Sequence, residues 1–266
     1  MTRVAIVTGA ARGIGAAIIR RLAAEGWAVV AVDRCADIPA IPYPLATVAE
    51  LESAVQDARA VAANPTLIRP VFEDARNAAA LAAAIAEAES IWGRLDAAVA
   101  VAGVVAGGVP LWEMPVDQVQ EVLEVDLAAV ITLAQVAVPA LLRSPQPRTG
   151  RFLALSSTAA TNGLPMLAAY GAAKGGVEAL VRGLAADLAG TGVTANAIRP
   201  GSTETAMLDQ SARLYNLPSA TAFATQQHVG RLLRPDEVAA AVLWLVGPES
   251  SGMTGAVIPV DGGFVG

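Results

Sequence analysis

Three residues in the middle of the chain carry groups that hydride-transfer chemistry can use: the hydroxyl of Ser157, the phenol of Tyr170 and the ammonium of Lys174. Tyr170 and Lys174 are four residues apart, so a helix over residues 168–189 sets them on one face, a turn from each other. A free phenol ionises near about 10, and a neighbouring cation lowers that value. The pair is therefore expected to exchange a proton near neutral pH, as a general acid and base must. Ser157 ends the apolar run Phe152 to Leu155, thirteen residues before the tyrosine. A strand ending there aims its hydroxyl at the same substrate oxygen. Tyr-x-x-x-Lys by itself is common on helices, so its meaning depends on the elements around it.

Those elements alternate. Val4 to Val7 is a short continuous apolar run with β-branched residues, which suits a strand covered on both faces. It runs into Thr8 and the turn containing Gly9, Arg12, Gly13, Ile14 and Gly15, after which Ile14, Ile18 and Leu22 form a helical stripe. Glycines at such a junction let a pyrophosphate approach the exposed N–H groups of a helix start. Trp27 to Val32 reads as a second strand with Asp33 at its carboxyl end, where a carboxylate accepts from ribose hydroxyls and repels a 2′-phosphate. Arg12 and Arg34 pull the other way, since each can pair with a phosphate. Residues 36–64 read as an insertion: Pro39, Pro42 and Pro44 impose an extended loop, then Val48, Leu51, Val55 and Ala58 fall at helical spacing. Rising from the adenosine end, this segment can fold over a cofactor and slow its escape. Strands at 67–72, 95–101, 151–155, 193–198 and 257–260 alternate with helices at 77–92, 116–142, 168–189 and 238–246, the helix at 168–189 carrying Leu180, Leu184 and Leu188 as its continuing apolar stripe. The pattern predicts one α/β domain, a doubly wound parallel sheet.

With the glycine turn, the Ser157, Tyr170 and Lys174 spacing, the stretch Asn196 to Gly201 and the terminal Asp261, Gly262 and Gly263, the whole chain resembles the short-chain dehydrogenase/reductase family. The resemblance implies a Rossmann fold and an oxidoreductase acting on a secondary alcohol or ketone. It implies that Lys174 holds the nicotinamide ribose and that Asp33 selects NAD over NADP. Asp74 is placed beside the adenine, Ala102 and Gly103 beside the cofactor, and Pro200, Gly201, Thr203 and Thr205 around the nicotinamide carboxamide. A dimer or tetramer is implied by the terminal motif. The stretch Ile41 to Thr47 followed by a helix resembles the insertion of a subgroup whose NAD does not exchange and is reoxidised by mycofactocin.

Two departures from the family pattern stand out. The usual Asn-Asn-Ala-Gly is here Ala100, Val101, Ala102 and Gly103, without either amide side chain, which puts local order near the nicotinamide in question. Asp126 stands where the family has an active-site asparagine; it can still accept from a water, but a carboxylate beside Lys174 competes for its charge. A solvent-facing Asp126 is the alternative. The departures leave open a cofactor-binding sensor that has lost catalysis, beside the alternative of an ordinary ketoreductase with free NAD(P)H.

Composition bounds the rest. The chain has 266 residues, 55% of them apolar and 16% charged, and a net charge of −6. No cluster of Lys or Arg offers nucleic acid or an anionic membrane a footprint. No uninterrupted apolar span approaches about 18 residues and no charged leader precedes the first strand, so a cytoplasmic protein is expected. Cys35 and His228 are the sole cysteine and histidine. Neither an intrachain disulfide, a zinc cluster nor a Ser/His/Asp triad can be assembled from them. No metal is expected. Residues 206–230 are read as a substrate lid, with Met207, Leu208, Leu214, Tyr215 and Phe223 as contacts for an apolar alcohol or ketone.

Overall fold

The computed structural model describes residues 2–144 and 146–265. Seven strands form one sheet in the order β3-β2-β1-β4-β5-β6-β7, and every neighbouring pair is parallel. They are β1 Val4–Thr8, β2 Ala28–Asp33, β3 Ile68–Phe72, β4 Ala97–Ala100, β5 Arg151–Leu155, β6 Thr194–Pro200 and β7 Val257–Val260. Parallel neighbours need crossovers, and helices supply them on both faces. Against one face lie α1 Gly13–Ala24, α2 Val48–Val61 and α8 Pro235–Val246, burying Ile18, Leu22, Leu51, Val55 and Val242 on Val7, Val29 and Val99. Against the other lie α3 Ala78–Trp92, α5 Ala129–Arg143 and α6 Ala168–Asp187, burying Leu81, Ile85, Leu133, Leu141, Val177 and Val181 on Ile6, Val30 and Phe152. Alternate residues of each strand serve opposite layers, which is why the strands read as unbroken apolar runs. Each fully buried Leu, Ile or Phe contributes about 1.5–3 kcal/mol relative to exposure.

Residues 36–64 divide, a correction to their reading as one insertion. Thr47 caps α2 in a reciprocal capping box with Glu50, and Leu51, Ala54, Val55 and Ala58 are buried in the α1 layer. This helix is the ordinary crossover returning the chain to β3 beside β2. What remains as an addition is the loop before it, from Arg34 to Ala46.

Two further expectations change. The buried stripe of α6 runs through Ala173, Val177 and Val181, while Leu180 and Leu184 sit half-buried at its margin. On that face Tyr170 and Lys174 are buried together with Ala173, Val177 and Val181. The long helical stretch Val116–Arg143 comprises α4 Val116–Leu123, a π-helical turn Glu124–Ala128 and α5. Contrary to the sequence expectation, it is long and apolar enough to cross a membrane. Its Val130, Leu133, Ala137 and Leu141 pack against the sheet, as in the core helix of a globular domain.

Candidate active site

Strand order reverses between β1 and β4, and a crevice opens above the carboxyl ends of the strands at such a point. One crevice there is lined by Gly9, Arg12, Gly13, Ile14, Gly15, Asp33, Arg34, Asp74, Ala102, Gly103, Ser157, Tyr170, Lys174, Pro200, Gly201, Thr203 and Thr205. Asp126 lies behind it.

The first wall is the turn from β1 into α1. Arg12 caps α1 without a side-chain hydrogen bond, and no acid occupies the first turn. The leading N–H groups are thus left for a ligand, and the dipole favours an anion. Gly9 has φ +69°, and a Cβ on it would lie 2.6 Å from the backbone nitrogen of Ala102. A Cβ on Gly13, at φ +56°, would meet Thr205 Cγ2 at 3.0 Å. These close approaches leave a cradle that side chains would fill, and it fits a dinucleotide pyrophosphate.

Asp33 ends β2, accepting from the N–H of Ala11 at 3.0 Å and of Cys35 at 3.3 Å. Burial pushes its carboxyl up, opposed by those two N–H groups and by the charge of Arg12. The two arginines that could receive a 2′-phosphate are engaged elsewhere. Arg34 Nη1 lies 2.8 Å from Asp74 Oδ2, and Arg12 Nη2 donates to Pro44 O at 3.3 Å. Asp74 also accepts from Arg76, so it braces the adenosine end rather than offering a free carboxylate to an adenine ring.

The β4 end answers the question raised by the missing amides. The N–H of Val101 donates to Thr8 Oγ1 at 3.3 Å, and Ala102 lies flush on Gly9, so backbone packing fixes this segment. Gly103 is required: a Cβ there would lie 2.6 Å from Asp126 Oδ1. On the far side, Gly201 donates its N–H to Val260 O at 3.0 Å, and a Cβ on it would sit 2.7 Å from Asp261 O. Within this chain the Asp261, Gly262 and Gly263 stretch therefore supports the Gly201 side of the crevice. Thr203 Oγ1 donates to Gly201 O at 3.0 Å, and Thr205 caps α7 Ala206–Leu214 by accepting from Leu208 N–H at 3.2 Å.

Ser157 follows β5 and accepts from Ala159 N–H at 3.2 Å, capping a short turn. Tyr170 and Lys174 face inward from the first turns of α6, with Lys174 Nζ 5.7 Å from the phenol ring centre. Lys174 donates to Leu155 O at 3.3 Å. Asp126 does not face solvent. It is fully buried, placed by the π-helical turn, with Oδ1 2.9 Å from Lys174 Nζ and Oδ2 accepting from Val104 N–H at 3.2 Å.

This arrangement reverses the expected effect on the tyrosine. Burial pushes the Tyr170 phenol above its ordinary value, and the Asp126 charge adds to the rise; Lys174 and Ser157 oppose it without prevailing. Burial disfavours the ammonium too, yet the charge and hydrogen bond of Asp126 outweigh it and hold Lys174 protonated. A cation four residues away was the visible half of the site.

Two further walls flank the crevice. Tyr43, buried with Ile38 and Ile41 among Val104, Val105 and Tyr170, accepts the N–H of Val105 at 2.9 Å. Opposite, Met207, Leu208, Tyr215 and Phe223 line the crevice, whereas Leu214 packs against Gly108 instead. Tyr215 donates to Pro165 O at 2.6 Å and stacks edge-on against Phe223. Phe264 joins them because Gln227 and Phe264 form an antiparallel bridge. No periodicity marks that residue.

Over residues 9–265 the chain matches the family described as enoyl-(acyl carrier protein) reductase. The chain belongs to the short-chain dehydrogenase/reductase family. It is 34% identical over 268 residues to an NAD-dependent oxidoreductase of Mycobacterium tuberculosis, covering 98% of this chain and 95% of that one. It is 33% identical to the (-)-trans-carveol dehydrogenase of Rhodococcus erythropolis, covering 98% and 96% of the two chains. Its fold superposes on carveol dehydrogenase from Mycobacterium avium in complex with NAD, with TM-score 0.89, 29% identity, and 98% and 96% of the chains covered. By family and fold, this short-chain dehydrogenase/reductase is an oxidoreductase.

Proposed function

We propose that the protein interconverts an apolar secondary alcohol and its ketone, with Tyr170 as general acid and base. The observation that carries the reading is the meeting of Ser157, Tyr170 and Lys174 in the same crevice as the glycine turn and Asp33. NAD is the cofactor, as in the related carveol dehydrogenase structure, and the carboxylate of Asp33, held by backbone N–H groups beside two arginines engaged elsewhere, supports it. Gly9, Gly13, Ile14 and Gly15 hold the pyrophosphate, and Thr203 and Thr205 the carboxamide. When bound, NAD accepts or returns a hydride at its nicotinamide C4. In oxidation Tyr170, as phenolate, takes the hydroxyl proton; in reduction the phenol returns it. Ser157 orients the substrate oxygen, and Lys174 holds the nicotinamide ribose.

An apolar substrate is supported by Met207, Leu208, Tyr215 and Phe223 around the phenol, whose oxygen faces Met207 Sδ at 4.0 Å. The related carveol dehydrogenase acts on such an alcohol. A tightly held NAD, reoxidised by mycofactocin, is supported by the docked Tyr43 loop. The rival reading is a ketoreductase that exchanges free cofactor. A homo-oligomer is supported by the exposed apolar residues Val116, Leu123 and Ile131 along one helical stretch, with exposed Trp112 in the short turn before it. We place the protein in the cytoplasm, where the lone thiol of Cys35 stays reduced.

The test is reduction of protein-bound NAD on adding carveol, followed by absorbance. The wild type should reduce it and Tyr170→Phe should not, while both retain the nucleotide. Equal activity in Tyr170→Phe removes the assignment of the base, and no reduction by any secondary alcohol favours the sensor reading.

A further inference from the structure

Two acids in this site face one base. Asp126 comes from the π-helical turn and Tyr170 from α6, and Lys174 lies between them, 2.9 Å from Asp126 Oδ1 and 5.7 Å from the tyrosine ring centre. All three are buried, so each charge lacks water and must be matched locally. Other groups around them do not supply a second cation. Ser157, from the turn after β5, and Tyr43, from the loop after β2, are uncharged. Glu178, one turn further along α6, is taken by Arg199 at 2.9 Å and by the hydroxyl of Ser156 at 2.9 Å. Arg12, at the mouth, leans on Pro44 and Glu50.

We propose that Asp126 and Tyr170 compete for the single buried ammonium of Lys174, and that Asp126 holds it in the resting protein, so Tyr170 rests as a phenol. Asp126 is in direct ion-pair contact with Lys174, whereas Lys174 meets Tyr170 over the face of its ring and the phenol oxygen turns to Met207 Sδ at 4.0 Å, so the carboxylate has the stronger attraction. Asp126 Oδ2 is also fixed by the N–H of Val104, which stabilises its ionised form. Burial pushes the Tyr170 phenol up and the charge of Asp126 adds to the rise; burial raises the Asp126 carboxyl as well, opposed there by the charge and hydrogen bond of Lys174 and by the N–H of Val104.

The consequence for turnover rests on the role given to Tyr170 above, while the competition itself does not. In ketone reduction, hydride from the reduced nicotinamide forms the new C–H bond. The phenol O–H breaks, its proton goes to the carbonyl oxygen, and solvent then reprotonates the phenolate. That direction starts with the proton in place. Alcohol oxidation must first lose the phenol proton to solvent, so its rate rises only at alkaline pH.

The competition is tested by following phenolate absorbance during alkaline titration of the full-length protein, in wild type and Asp126→Asn, each with and without Tyr170→Phe. Only three tyrosines are present. Tyr43 and Tyr215 are both pushed above the ordinary value, so they ionise late. The wild type should show no Tyr170 phenolate below about pH 9, and Asp126→Asn should ionise at least about one pH unit lower, a tenfold gain in phenolate at a given pH. Tyr170→Phe should erase that difference. A Tyr170 phenolate already present at neutral pH in the wild type, or equal midpoints in the two proteins, overturns the proposal. Should Asp126→Asn not fold, the wild-type titration still decides. The pH at which carveol reduces bound NAD should move down with the spectroscopic midpoint in Asp126→Asn. Absence of that reaction in every variant would count against the dehydrogenase reading and leave the titration result standing.

Discussion

The hydroxyl of Tyr43 accepts the N–H of Val105 at 2.9 Å, joining the loop after β2 to the segment after β4 across the crevice. The loop is held further by Leu45 N–H donating to Asp37 Oδ1 at 2.7 Å and by Arg12 reaching Pro44 O. Tyr43 lines the same crevice as the glycine turn, and we expect a bound dinucleotide to pass this contact on leaving.

Tyr43→Phe keeps the ring and its packing but leaves the buried N–H of Val105 without its partner, at a cost of about 1–3 kcal/mol. We expect release of NAD to quicken by about tenfold, with hydride transfer itself little changed. Nucleotide retained after gel filtration, and its dissociation rate in stopped flow, measure this. Identical release rates would mean that the loop does not gate the site.

Asp33→Asn removes the charge at the end of β2 while keeping an oxygen for the N–H groups of Ala11 and Cys35. NAD should bind about tenfold more weakly, since a charge-assisted bond to ribose contributes about 1.5–3 kcal/mol. Discrimination against NADP should fall by a similar factor, without full reversal, because Arg34 stays on Asp74. Fluorescence titration with both nucleotides gives the ratio.

Acid should remove the stability that Asp74 contributes. Burial pushes Asp74 up, but the hydrogen bonds of Arg76 and the charges of Arg76 and Arg34 outweigh it and hold the carboxyl below its ordinary value. A carboxylate lowered on folding adds stability that is fully present above its unfolded value near about 4, and that is lost as pH falls through the folded value. Asp33 and Asp126 are shifted the other way, so the comparison must isolate Asp74. Denaturant midpoints of wild type and Asp74→Asn should differ above about pH 4 and converge below it. A constant gap across that range would contradict the account.

Much of this architecture can be read from residue order alone. The strands β5 and β7 fall where the apolar runs place them, and α3 starts after Asn77, whose side chain accepts from Ala80 N–H. The glycine turn, Asp33, and the shared face of Tyr170 and Lys174 follow from local spacing, because backbone geometry fixes which neighbours along a chain share a face. The stripe on α6 and the extent of the added loop were misread for the same reason. Periodicity tells that a side is buried, but not against what.

Chemistry between distant segments was beyond that reach. The sequence determined that a phenol and an ammonium stand one turn apart. Only the tertiary structure decided that Asp126 occupies the ammonium from another helix, that Tyr43 crosses to Val105, and that Phe264 returns to the crevice. The sign of the shift on Tyr170 is a sum of burial and of two opposite charges. Each term depends on distances through space, which the order of residues along one helix does not contain.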